Sequence, residues 1–319
     1  MTTTELNILF LGGAKRVSMA QKFIQAGHER GINVNIYGYE LNPYVPLSGI
    51  GDVITGLRWN DPGLQKDLEE VCKKYDINIM IPFVDGAVEP VARFTETHPE
   101  VFAPVSSPEL SKAMFDKKIS ADMFEKANLP VPRTVRDVPA KYPVIAKPRN
   151  GSASKGIVIL RNYDDYLLNR ISQKDYLIQQ YIPDAEEITC DCYVDQQGRI
   201  ITISPRLRLQ VAGGEVTETI TTTEPRYMSI AHDVLTRLEL RGAVTVQLIS
   251  GVGYNELYLM EVNPRLGGGV VATINAGADI AGMIIDEYNE NVLTPIKAKP
   301  FVLTTRYLDE VSFIVHEEK

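Results

Sequence analysis

The first hundred residues alternate short apolar runs with stretches of helical periodicity, and no other feature constrains the fold as strongly. Strands separated by helices pair in parallel, because the helix carries the chain back across the sheet. The pattern therefore predicts an N-terminal parallel α/β domain over residues 1–105. Its apolar runs are residues 6–11, 33–40 and 77–84, and its helical stretches are about 17–26 and 61–75.

The pattern changes in the rest of the chain, where the spacing predicts an α+β arrangement. A helix is expected over 108–128, and the strands at 143–148 and 157–160 should form a hairpin-like pair. After residue 183 polar and apolar residues alternate along several strands, which is typical of an antiparallel sheet. We therefore predict two further domains, over residues 106–183 and 184–319.

Composition excludes several classes of protein. The 319 residues exceed one typical domain, and the net charge of −8 argues against nucleic acid as the main partner. The three cysteines form no even disulfide framework, so we expect a cytoplasmic protein. No run approaches the ~20 apolar residues of a membrane span, and the N-terminus lacks the pattern of a signal peptide. The four histidines lack metal-ligand spacing, which makes a zinc site improbable.

The stretch MEVNPRLGGG, residues 260–269, places a carboxylate and an amide on a strand. Glu261 and Asn263 are two apart, so they share one face. If Gln247 of the preceding strand lies opposite Glu261, residue 249 pairs with 259 and Gln247 joins the same face. Three oxygen donors with one full charge suit Mg²⁺. A half-solvated polar face is an equally good interpretation of these residues alone.

Two further stretches indicate a phosphate ligand. NGSASKG, residues 150–156, follows Lys147, and its small residues allow backbone N–H groups to approach an anion. It is not a Walker A loop, and a flexible hairpin is the alternative. Arg206 and Arg208 share a strand face and, with Arg265, could form a basic wall around a polyphosphate, although isolated arginines are more often solvated. By contrast, Cys190 and Cys192 are expected to be buried small hydrophobes.

Taken in order, these stretches resemble the ATP-grasp superfamily, and in particular the ligases built like the large subunit of carbamoyl phosphate synthetase. Residues 115–132 look like the helix with the first nucleotide-binding lysine, and 142–157 like the second lysine and lid loop. Residues 177–195 look like the adenine hinge and a ribose-binding glutamate, and the Gln247–Asn263 stretch like the metal hairpin. The three glycines 267–269 differ from the serine-rich continuation of the synthetase, which puts bicarbonate in doubt as a substrate.

The resemblance implies a role for each matching residue. Arg265 would face the reacting phosphoryl group, with Arg206 or Arg208 stabilising anionic transition states. Because two lysines are adjacent, the first ATP lysine is Lys117 or Lys118. The implied ATP-binding residues are Lys117, Lys147, Ser152, Ser154, Gly156, the hinge residues Gln180, Tyr181 and Ile182, Glu187 at the ribose, and Gln247. The implied ligands of Mg²⁺ (or Mn²⁺) are Gln247, Glu261 and Asn263.

The function implied by the resemblance is ATP- and Mg²⁺-dependent ligation of a carboxylate to an amine or ammonia through an acyl phosphate. The alternatives are a small-molecule kinase that stops at the phosphorylated acid, and a non-catalytic ATP-binding subunit. The expected partners are small-molecule acids and amines, without nucleic acid or membrane. A homodimer is a further possibility.

The substrate is expected between the nucleotide site and the N-terminal domain. The Gly12-Gly13 turn, Lys15 or Arg16 could receive a substrate carboxylate, because the turn precedes a helix N-terminus. Residues 85–89 could recognise an amine, although Asp85 and Glu89 fit the first turn of a helix equally well.

Overall fold

The computed structural model describes residues 4–151, 155–251 and 256–315. Ser152 and Ser154 lie outside these ranges. Within them the helices are α1 Val17–Glu29, α2 Leu64–Tyr75, α3 Asp85–Thr97, α4 Pro108–Phe115, α5 Lys117–Lys126, α6 Tyr163–Leu168, α7 Pro225–Arg237, α8 Val270–Asn275 and α9 Ile280–Tyr288. The strands are β1 Glu5–Leu11, β2 Asn33–Glu40, β3 Asp52–Thr55, β4 Ile79–Pro82, β5 Val144–Pro148, β6 Val158–Leu160, β7 Tyr176–Gln180, β8 Glu186–Val194, β9 Ile200–Ala212, β10 Glu215–Thr221, β11 Gly242–Ser250, β12 Leu257–Asn263 and β13 Leu303–Thr305.

The N-terminal residues form a parallel sheet in the order β3-β2-β1-β4. β1 is buried from both faces, which explains its nearly continuous apolar sequence. The predicted parallel α/β fold of this part of the chain is therefore confirmed. β3 was not predicted, because this short, half-exposed edge strand carries little apolar sequence.

The later strands form an antiparallel sheet in the order β12-β11-β8-β9-β10-β13, as their alternation predicted. α7 covers one face, and its buried residues share a core with β8 and β11. Cys190 and Cys192 lie in that core as free thiols, which confirms their assignment as small hydrophobes. The predicted β5–β6 hairpin also forms, with β7 on the other side of β5.

The predicted helix over 108–128 is wrong in one respect, because it is two helices. Asp116 separates α4 from α5 and has an extended backbone, with φ −97° and ψ 107°. Its carboxylate accepts hydrogen bonds from the backbone N–H groups of Lys118 and Ile119, at 3.0 and 3.2 Å. This capping begins a new helix at Lys117, so that lysine lies in a first turn and not in mid-helix.

One hydrophobic core joins the N-terminal sheet to the end of the chain. Leu266, Val270 and Ile280 pack into the cluster that contains Phe10 and Phe23. The segment after β12 is therefore held against the carboxyl ends of the parallel strands. The boundaries near 105 and 184 stay predictions. None of the helices in the described ranges has the length and apolar character to cross a lipid bilayer.

Candidate active site

The β11–β12 hairpin brings the predicted metal ligands together. Gln247 lies opposite Glu261, and Thr245 lies opposite Asn263, so all these side chains project from one face. The predicted pairing of residue 249 with 259 is wrong: Leu248 pairs with Leu259, because a bulge leaves one extra residue on β12. The predicted register therefore holds only where residues 245–247 pair with residues 261–263, which is where the oxygen donors lie.

A pocket opens beside this face, lined by Lys117, Gly151, Glu261, Asn263 and Asp85 among others. Lys117 Nζ donates to the carbonyl oxygen of Gly151 at 2.6 Å, which ties the lysine to the loop after β5. The neighbouring Lys118 instead donates to the carbonyl oxygen of Gln173 at 3.0 Å. Of the two candidate lysines, Lys117 is therefore the one that lies at the pocket.

Lys147 lies on β5 and is 9% exposed, with Nζ 3.2 Å from the side-chain oxygen of Gln179. Burial lowers the pKa of the Lys147 ammonium, while Glu261 and Glu187 oppose that shift. The positive charge of Lys117 also lowers the pKa of Lys147. These groups therefore share one electrostatic environment.

Glu261 is half-buried at the pocket, and its carboxylate makes no hydrogen bond to the described residues. Burial raises the pKa of this carboxyl, and Asp85 adds to the shift. Lys117, Arg265 and Lys147 oppose it. A carboxylate with little solvent and no hydrogen bond is costly, and the three neighbouring cationic side chains offset part of that cost.

The predicted adenine hinge follows β7. Gln180 is its last residue, and its backbone N–H donates to the carbonyl oxygen of Arg133 at 2.9 Å. Tyr181 is partly exposed, whereas Ile182 is 7% exposed and lies against Gly251 at the end of β11. Glu187, near the start of β8, forms an ion pair with Arg208 at 2.7 Å. The hinge and Glu187 thus flank the same end of the antiparallel sheet.

Arg206 and Arg208 each pair with a carboxylate of β8 and neither lines the pocket at Glu261, so they do not form the predicted basic wall with Arg265 there. Arg206 is 2% exposed and donates from Nε to Asp191 at 2.8 Å. Thr273 donates to the same carboxylate at 2.6 Å, which fixes α8 to β8. Arg206 therefore holds the fold of the site together and does not face the pocket at Glu261.

Arg265 forms an ion pair with Asp85, the first residue of α3, and its Nη2 lies 3.5 Å from the side-chain oxygen of Asn263. Asp85 is thus a first-turn acidic residue and a site residue at once. Glu89 instead pairs with Arg93 on the helix surface at 2.7 Å. Sequence alone left these roles open. The usable signal was the position of Asp85 directly after a buried strand of a parallel sheet, where ligands bind.

The glycines after Arg265 allow close packing around this segment. A Cβ on Gly267 would lie 2.8 Å from Thr245 Oγ1, and one on Gly269 would lie 2.8 Å from the Arg206 guanidinium. A Cβ on Gly268 would lie 3.2 Å from Arg16 Nη1. The segment therefore approaches both the antiparallel sheet and the turn that follows β1.

The turn after β1, which was predicted to receive a substrate carboxylate, lies beside a carboxylate of the protein. Gly12 has φ +70°, and a Cβ there would lie 2.5 Å from Val84, so glycine is required. The backbone N–H groups of Ala14 and Gly13 lie near the carboxylate of Glu40 at the end of β2 and lower its pKa, and its Oε1 is buried without a hydrogen bond to the described residues. A carboxylate of the protein itself thus lies beside the turn that was proposed for a substrate carboxylate. Arg16 pairs with Glu215 at 3.1 Å.

Glu40 gives a testable pH dependence. Burial raises the pKa of the Glu40 carboxyl from 4.5 to about 7, although the backbone N–H groups of Ala14 and Gly13 lower it in part. Because the folded pKa lies above the unfolded one, this group's contribution to stability is greatest below pH 4.5 and is lost as the pH rises to about 7. Glu40→Gln should therefore stabilise the protein at pH 8, relative to pH 4.5, by less than about 3 kcal/mol, the equivalent of the full shift, because solvent screens this partly exposed group.

Denaturant unfolding of both proteins across this range measures the difference. The exposed Glu96→Gln is the matched control and should show no such trend. A constant difference between Glu40→Gln and the wild type from pH 4.5 to 8 would contradict the assignment.

Comparison with known proteins agrees with this geometry. Residues 114–269 match the family described as ATP-grasp domain. This part of the chain is therefore an ATP-grasp domain, and the predicted resemblance to ATP-grasp enzymes of the ligase type is confirmed.

Three particular proteins illustrate the similarity. D-alanine–D-alanine ligase of Petrotoga mobilis is 27% identical over a match covering 57% of this chain and 67% of the ligase. 3-Methyl-D-ornithine–L-lysine ligase of Methanosarcina barkeri is also 27% identical, but the match spans 47% of this chain and only 39% of that protein. The biotin carboxylase domain dimer of Hydrogenobacter thermophilus 2-oxoglutarate carboxylase, in complex with MgADP, ADP and bicarbonate, has a TM-score of 0.73 at 18% identity. That superposition covers 92% of this chain and 72% of the domain, and it shows a shared fold.

Proposed function

We propose that this protein is an ATP-dependent ligase that activates a small carboxylic acid as an acyl phosphate and joins it to an amine. The observation that carries the proposal is the convergence of Lys117, Glu261 and Asn263 at one pocket, with Lys147 in the same electrostatic environment and Arg265 paired with Asp85 of the pocket lining. Both curated relatives are named as ligases that join two amino acids.

The nucleotide site combines two lysines with the hinge. Lys117 and Lys147 would contact ATP phosphates, and the loop that includes Gly156 would close over them. Gln180, Tyr181 and Ile182 would meet the adenine, and Glu187 the ribose. Gly156 has φ +74°, so the end of the loop has a backbone that favours glycine. Water exclusion by this loop would protect an acyl phosphate from hydrolysis.

The residues around Glu261 fit a divalent cation. Gln247, Glu261 and Asn263 supply oxygen donors from one face of the hairpin, and Glu261 is a half-buried carboxylate without a hydrogen bond to the described residues. Mg²⁺ (or Mn²⁺) prefers such ligands, completed by water and substrate phosphates. When bound, the ion would neutralise phosphate charge. These three side chains would hold it.

The chemistry then needs no covalent nucleophile from the protein. The acid's carboxylate attacks the γ-phosphorus of ATP and releases ADP, and the amine attacks the acyl phosphate and releases phosphate. The buried Lys147 and the guanidinium of Arg265 would stabilise the negative charge on the transferring phosphoryl group. Asp85 would fix the orientation of Arg265 through their ion pair.

The direct test is ADP release with Mg-ATP across a matrix of amino and dicarboxylic acids against amines. We expect at least one pair in which release requires both acid and amine. Release with acid alone, accompanied by a stable phosphorylated acid, would support a kinase. No stimulated release, together with an unchanged melting temperature on adding Mg-ATP, would refute the ligase. Nucleotide binding without any release would indicate a non-catalytic subunit.

A further inference from the structure

A cluster of Arg16, Glu215 and Arg306 lies beside Gly268. Arg16 contacts Glu215 at 3.1 and 3.3 Å through its two terminal nitrogens, and Arg306 Nη1 donates to the same carboxylate at 2.8 Å. Because two guanidinium groups share one carboxylate, the cluster carries one net positive charge. A simple ion-pair link between the N-terminal turn and β10 would need only one arginine.

The cluster stays charged and accessible at neutral pH. Partial burial acts to raise the pKa of Glu215, but Arg16 and Arg306 together hold it below its usual range, so the carboxylate remains ionised. The side chains of Arg16 and Arg306 are 18% and 34% exposed. A solute can therefore reach their guanidinium groups, and partial desolvation strengthens attraction to an anion. Guanidinium groups pair with carboxylate and phosphate through parallel hydrogen bonds.

The position of the cluster links it to the reacting groups. The strand order β3-β2-β1-β4 reverses between β1 and β4, and ligands of open α/β sheets bind outside the carboxyl ends of strands at such a point. Arg16 follows β1, and Asp85 follows β4. The segment from Arg265 to Gly268 runs from one to the other, since Arg265 contacts Asp85 and Gly268 adjoins Arg16.

We infer that the acid whose carboxylate reacts at Arg265 carries a second oxyanion group, a carboxylate or a phosphate, bound by Arg16 and Arg306 over Gly268. This inference rests on the proposed ligase function. Three residues of extended chain span at most about 10 Å, so one short segment adjoins both of the groups that would bind the substrate. The substrate class is therefore a small dianionic acid, such as a dicarboxylic or phosphorylated amino acid.

The test compares anionic acids with neutral partners of the same shape. The probes are L-glutamate against L-glutamine, L-aspartate against L-asparagine, and O-phospho-L-serine against L-serine. Calorimetric titration of the full chain with Mg-ATP should show at least one anionic member binding about tenfold or more tightly than its partner. Arg16→Gln and Arg306→Gln should each remove this preference by weakening the anionic member alone. The probe pair whose preference is lost in these variants shows whether the second group is a carboxylate or a phosphate.

A third variant separates ligand binding from a structural role. Glu215→Gln raises the net charge of the cluster and should tighten binding of the anionic member. If the network only fixed the turn to β10, all three variants would weaken binding of both members alike, and the inference would be overturned. Arg93→Gln, in an exposed ion pair on α3, is the matched control. Equal binding of all anionic and neutral partners also overturns the inference, whether or not ADP is released. Absence of Mg-ATP binding contradicts only the proposed function.

Discussion

Glu261→Gln should lower acid- and amine-dependent ADP release by about 10²- to 10³-fold, the range found when a group that stabilises developing charge is removed. Glu261 is the single carboxylate among the three proposed metal ligands, and the amide that replaces it supplies no negative charge. The side chain is half-buried and makes no hydrogen bond to the described residues, so the isosteric amide removes a charge and no hydrogen bond. The rate of steady-state ADP release should therefore fall while the melting temperature stays close to that of the wild type.

The control for this variant is Glu109→Gln, which alters an exposed glutamate in the first turn of α4. Its rate should match the wild type. If Glu261→Gln keeps a tenth or more of the wild-type rate at saturating Mg²⁺, the hairpin is not the metal site. Partial recovery of the variant at high Mn²⁺ would agree with a weakened ligand set.

Asp191→Ala should destabilise the protein by about 3–5 kcal/mol, because it leaves a buried arginine without its counter-charge. Arg206 and Asp191 are 2% and 1% exposed, and Thr273 also loses its acceptor. Denaturant unfolding measures the loss. The comparison is Asp233→Ala, which breaks an exposed pair with Arg237 and should cost less than about 1 kcal/mol.

A double variant identifies the cause of that loss. Asp191→Leu with Arg206→Met replaces the buried pair by apolar groups of similar size, which often restores or increases stability. We expect the double variant to be more stable than Asp191→Ala. If it is equally unstable, the loss reflects the packing of α8 against β8 and not the unpaired charge of Arg206.

Local sequence patterns were sufficient for the parts of the fold that depend on neighbouring residues. The apolar runs and their spacing predicted the parallel sheet, and residue-by-residue alternation predicted the antiparallel one. The break at Asp116 was missed, although Asp116 is a good N-cap, because the helical periodicity continues across it. The bulge in β12 was missed because an unpaired residue leaves no mark in an apolar strand.

The site divides in the same way. The placement of Gln247, Glu261 and Asn263 on one face follows from strand periodicity and one hairpin register, and the sequence by itself determined it. The carboxylate partners of the arginines could not be predicted from the sequence. Asp85 lies 180 residues from Arg265, and Glu215 lies 199 from Arg16. Such pairs form because distant strands end at the same edge of the packed sheets, so only the tertiary structure decided which charges are neutralised and which remain for a ligand.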